Sequence, residues 1–102
     1  MKDIELLVEH MEEEIEDAKE YAEEAMHYKA KNASLSSTFA ELSAQELKHM
    51  EMLHTRAEEI ITAYRKEHGE PPADMLAVWD YEHKKIIHKA AKTKAIIDML
   101  KR

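Results

Sequence analysis

The only glycine and both prolines of this 102-residue chain fall in one four-residue stretch, Gly69 to Pro72 within "EHGEPPAD". Glycine is favoured just past the end of a helix. Proline lacks the N–H and fixes φ, so a helix tolerates it only in the first turn. The stretch therefore predicts that one helix stops at Gly69 and another starts with Pro71 and Pro72. A softer break lies at "KNASLSS", where Asn32 and Ser34 both suit the N-cap position. The segments between are dense in Ala, Glu, Lys, Leu and Met, the composition of long helices. One all-α domain over residues 1–102 follows, with three long helices at roughly Asp3 to Ala30, Leu35 to His68 and Ala73 to Lys101. Short connections between long helices make neighbours antiparallel.

Three-and-four spacing gives each helix an apolar seam. In the first it runs Ile4, Leu7, Met11, Glu14, Ala18, Tyr21, Ala25 and Tyr28, flanked by Val8, Ile15 and Ala22. In the second it runs Leu35, Phe39, Leu42, Glu46, His49 and Leu53, then Ala57, Ile60 and Tyr64 after a one-residue slip. The third gives Leu76, Trp79, His83, Ile86, Ala90, Thr93, Ile97 and Leu100. Trp79, Ile86, Ile87, Ile97 and Leu100 are expected to cover the apolar surface left by the first two helices. Glu14, Glu46 and His49 interrupt the first two seams, where a leucine would serve packing better.

Charge and composition narrow the function. Fifteen Lys and Arg stand against 22 Asp and Glu, a formal net charge of -7, which repels phosphate backbones and argues against nucleic-acid binding. With no cysteine, disulfides, thiolate nucleophiles and sulfur-ligated metals are excluded, so any metal must sit on Asp, Glu or His. The N-terminal "MKDIELLVEHMEEE" is unlike a signal peptide, and no stretch approaches membrane-spanning length; no membrane association and a cytoplasmic location are expected. The serines Ser34, Ser36, Ser37 and Ser43 lie in no strained elbow motif and the single glycine makes no phosphate loop, which sets aside hydrolase and nucleotide-binding readings. A chain of this length is short for a self-sufficient core, so association with a second copy is expected.

Glu46 and His49 form a Glu-x-x-His pair, and residues three apart on a helix project the same way, one turn above the other. If the chain reverses near Lys31, Glu14 stands at the same level, so the three polar seam residues meet. Burying ionised carboxylates costs several kcal/mol unless something pairs with them. A divalent cation supplies that partner, and carboxylate oxygens with one imidazole nitrogen suit Fe(II), Mn(II) or Zn(II). The same residues would also satisfy one another as a polar layer of mutual hydrogen bonds.

Glu14 followed by "Glu46-Leu47-Lys48-His49" resembles the ferritin-like di-metal carboxylate proteins, including rubrerythrin-type and encapsulated-ferritin-type members. The resemblance covers the first two helices, about two-thirds of the chain. It implies a di-iron centre, with Mn or Zn as alternatives, and ferroxidase or peroxide-scavenging chemistry. Glu46 would bridge the metals, with Glu14 as a terminal or chelating ligand and His49 as a terminal ligand. The family often adds a tyrosine two turns after the first glutamate, a place held here by Tyr21. A complete site needs two Glu and two Glu-x-x-His, and this chain supplies one of each. The third helix offers only Ala91, Lys92, Thr93 and Lys94 at that level. The resemblance therefore implies a half-bundle completed by a second copy about a two-fold axis, a homodimer or a higher homo-oligomer. The "GEPP" linker is also similar to small prophage-associated helical proteins, a likeness that implies no function.

Other features have plainer readings. Glu12, Glu13, Glu16, Glu20, Glu23 and Glu24 read as a solvated acidic face, and the methionines as packing residues. His10, His54 and His88 fall near one level and are a second candidate cluster, as are Asp80, Glu82 and His83 on the third helix. The competing function is a non-catalytic assembly or interaction protein that keeps a ferritin-like bundle. It would use its acidic exterior and an exposed Trp79 and Tyr81 to contact a partner.

Overall fold

The structure, a computed structural model, describes residues 2–101 and consists of α1 (Lys2–Tyr28), α2 (Ala33–His68) and α3 (Ala73–Leu100). The molecule measures 55 × 19 × 17 Å. The long dimension is set by α2, since 36 helical residues at about 1.5 Å each span about 54 Å. Cross-helix pairs fix the directions. Ser36 meets Ala25 and Ser43 meets Ala18, so α2 runs antiparallel to α1. Glu16 meets Lys89 and Lys29 meets Met99, so α3 runs parallel to α1. No helix among the described residues is long and apolar enough to cross a membrane.

The two breaks act through the groups expected of them. Asn32, in extended backbone, accepts a hydrogen bond at its Oδ1 from the Leu35 N–H at 3.1 Å, which satisfies one of the free donors at the start of α2. Gly69 takes φ 78°, a conformation that side chains resist, and its N–H closes the helix on the Arg65 carbonyl at 3.0 Å. A Cβ at Gly69 would meet nothing within 4 Å, so glycine is needed for the dihedral and not for space. Pro72 is the N-cap of α3, one residue before the first turn expected to contain it.

Two buried clusters hold the rod. Ile15, Ala18, Ala22, Leu47, Met50, Ile86 and Ala90 with their neighbours form the larger one; Ile4, Ala57, Ile61 and Trp79 form the second. The buried row of α2 differs from the expected seam. Ser36, Ser43, Leu47, Met50, Ala57 and Ile61 are buried, whereas Leu35, Phe39, Leu42, Glu46 and Leu53 are only half-buried and His49 is exposed. The cause is the size of the serines. Ser43 and Ser36 lie against Ala18 and Ala25, and each hydroxyl donates to the facing backbone carbonyl at 2.6 Å, so the α1 and α2 backbones approach closely. At this end of α2 the large side chains Leu35, Phe39 and Leu42 lie on the adjacent, half-buried row. On α3, Trp79, Ile86 and Ile97 are buried as expected, but Ile87 is exposed. Trp79 keeps only 9% of its surface, which removes it from any exposed docking surface; Tyr81 is exposed.

Candidate metal centre

The hairpin register brings Glu14 of α1 level with Glu46 and His49, one turn apart on α2. One donor atom from each of the three lies within 4.8 Å of the others. His49 Nδ1 stands 3.5 Å from Glu14 Oε2 and 3.8 Å from Glu46 Oε1. The exposure is graded: the side chains of Glu14 and Glu46 keep 26% and 21% of their surface, and that of His49 keeps 55%. The trio therefore sits at the edge of the α1–α2 pair and not inside a core layer as the seam pattern implied.

The electrostatics are those of a site short of positive charge. Glu46 holds its proton above the usual carboxylate range because the Glu14 carboxyl is a hydrogen-bonding neighbour, with burial and the like charge of Glu14 adding to the effect; His49 opposes it. Glu14 Oε2 is buried and makes no hydrogen bond among the described residues. An acceptor in that position carries a desolvation cost that a cation would remove. The donor set of two carboxylates and one imidazole fits Fe(II), Mn(II) or Zn(II), with room for further ligands on the exposed side of His49.

Tyr21, the other residue expected at the centre, stacks on Phe39 at 6.1 Å between ring centroids, and Phe39 stacks in turn on Tyr28 at 6.0 Å. This ladder continues the half-buried row that contains Glu46. Ring packing accounts for the position of Tyr21.

The expected cluster of His10, His54 and His88 does not form. His10 is exposed and pairs with Glu13 at 3.6 Å, and His88 is exposed on α3. Level alone put the three together, but positions 10 and 88 lie off the inward rows marked by Met11 and Ile15 and by Ile86 and Ala90. His54 instead meets His83, with Nε2 atoms 2.9 Å apart. Asp80, Glu82 and His83 likewise do not converge. Glu82 turns to Glu12, whose proton it holds above the ordinary range by hydrogen bonding, with burial and like charge contributing. The signal for the His54–His83 pair was present, since His83 is the one ionisable residue of the third seam.

No protein-family model, curated protein or solved structure gives a significant match to this chain. The ferritin-like likeness therefore rests on Glu14, Glu46 and His49 and on the helices that carry them.

Proposed function

We propose that this protein is a ferritin-like di-metal carboxylate protein in which two copies pool their half-sites, and that the completed centre handles and oxidises a divalent metal. Iron is the first choice, and Mn(II) or Zn(II) are other ions the donors accommodate. One observation carries the reading: three potential ligands converge within 4.8 Å, and one of their oxygens is buried with no hydrogen bond among the described residues. Glu46 and its symmetry mate would bridge, while Glu14 would be a terminal or chelating ligand and His49 a terminal ligand. Bound iron would supply the electrons that reduce oxygen or peroxide. The chain's own residues would fix the ligand geometry, shield the Glu14 Oε2 atom and leave positions open on the exposed His49 side.

The half-buried row Leu35, Phe39, Leu42 and Leu53 beside the trio supplies an apolar face for the second copy. A second reading keeps the bundle and drops the chemistry, and exposed Leu6, Met52, Val78 and Tyr81 favour it as a surface for other partners. Metal content separates the two. Protein purified without chelator, or loaded anaerobically with Fe(II), should hold one equivalent per chain in a dimer, and the variant Glu46→Leu, His49→Leu should hold none there. A wild-type dimer that takes up no Fe(II), Mn(II) or Zn(II) at this centre establishes the assembly reading instead.

A further inference from the structure

His54 and His83 meet between α2 and α3, and three features of their geometry bear on a ligand. First, His54 Nδ1 lies 2.9 Å from Glu58 Oε1, one turn later on α2. A carboxylate there holds the ring proton on Nδ1, which leaves the His54 Nε2 with a free lone pair; such carboxylate–histidine pairs orient the ligating rings of metal sites. Second, the Nε2 atoms of His54 and His83 are 2.9 Å apart, and the ring centroids are 4.5 Å apart. A collinear N–H···N bond of that length would separate the centroids by about 5.2 Å, since each nitrogen lies about 1.15 Å from its ring centre. The rings are therefore bent toward one another. With metal–nitrogen bonds of about 2.05 Å, two imidazoles at 90° to each other would have nitrogens about 2.9 Å apart and centroids about 4.5 Å apart. A tetrahedral ion would need about 3.3 Å between the nitrogens. Third, the Trp79 indole lies beside both rings, at 6.0 Å from His54 and 5.3 Å from His83 between centroids, in inclined stacks that restrict their rotation.

We infer that His54 and His83 form a second metal-binding site, separate from the Glu14 centre, for a borderline divalent ion with adjacent ligand positions at right angles, Cu(II) or Ni(II), with Glu58 orienting His54. Imidazole nitrogens in a tetragonal arrangement suit these ions. The site requires no net proton release, because His83 can transfer its Nε2 proton to Nδ1 as the metal takes the lone pair. A shallow groove lined by Met50, Glu51, His54, Ile87 and Lys94 reaches His54 from outside, and water or a small anion would complete the shell.

Trp79 is the only tryptophan, so it reports on this site alone. The test titrates Cu(II) into the full chain carrying Glu46→Leu and His49→Leu, which removes the other centre. Trp79 emission should be quenched with saturation at one equivalent per chain, and the electron paramagnetic resonance spectrum should show coupling to two imidazole nitrogens. Adding His83→Gln should weaken binding at least tenfold, and adding Glu58→Gln should weaken it about 10- to 100-fold. Retained helicity by circular dichroism shows that the loss is local. If His83→Gln unfolds the chain, the two-nitrogen spectrum of the parent decides the matter. Quenching that does not saturate at one equivalent, that survives His83→Gln in a folded chain, or that comes with a single coupled nitrogen overturns the inference.

Discussion

Replacing Glu46 and His49 together by leucine should stabilise the metal-free protein and abolish the stabilisation that Mn(II) or Zn(II) gives through the Glu14 centre. Fully burying a leucine side chain contributes about 1.5–3 kcal/mol. At position 46, where the side chain keeps 21% of its surface, most of that is available, less the part the Glu46 methylenes already contribute. At position 49, with 55% exposed, the gain roughly matches the packing lost with the imidazole. Relief of the Glu14–Glu46 pair acts in the same direction, so the net gain is about 1–2 kcal/mol, or about 5–10 °C in Tm for a domain of this size. The wild-type apo protein should also lose stability as pH rises through the raised pKa of Glu46. In the folded state Glu46 binds its proton more tightly than in the unfolded chain, so unfolding releases a proton. The variant should lack that slope. A saturating metal ion at about 100 times its Kd adds about 2.7 kcal/mol to the wild type and nothing to the variant. Thermal melts followed by circular dichroism, with and without Mn(II) or Zn(II), read all three effects. A variant that unfolds, or a wild type whose Tm is the same with metal, refutes the reasoning and makes the trio a structural polar layer.

Trp79→Ala should cost about 3–5 kcal/mol by urea denaturation, because the ring is 9% exposed and packs with Ile4, Ala57 and Ile61; a cost below about 1 kcal/mol would show that this second cluster does not hold α3 in place. Glu82→Gln should raise stability near neutral pH and flatten its fall with rising pH. Glu12 binds its proton more tightly when folded, so the pair's cost appears as pH rises from the ordinary carboxylate range and is fully present above the raised pKa. An unchanged pH slope in the variant would show that the two carboxylates are not coupled.

Much of the fold is legible because a few residues have a single structural use. Gly69 is the one residue with positive φ among the described residues, Asn32 caps α2 through its side chain, and the boundaries expected from them hold to within about two residues. The level of Glu14 with Glu46 and His49 follows from the same source, since a short turn between two long helices leaves little freedom in register. The buried face of α2 was not legible. Counting apolar residues favours Leu35, Phe39 and Leu42, while the buried row there runs through Ser36 and Ser43, whose hydroxyls bond α1 carbonyls and which such counting ignores. The meeting of His54 with His83 was missed for a related reason. Level along the rod follows from the turns, but rotation of α3 about its own axis is set by how Trp79, Ile86 and Ile97 pack.

Anomalous scattering from crystals grown with Fe(II) or Mn(II) tests the central claim most directly. We predict two metal positions about 3.5–4 Å apart across a two-fold axis between copies. Each should be contacted by Glu14, Glu46 and His49, with Glu46 bridging. A well-ordered dimer with no anomalous peak at these residues, or a single ion held by one copy with the second copy elsewhere, would contradict it.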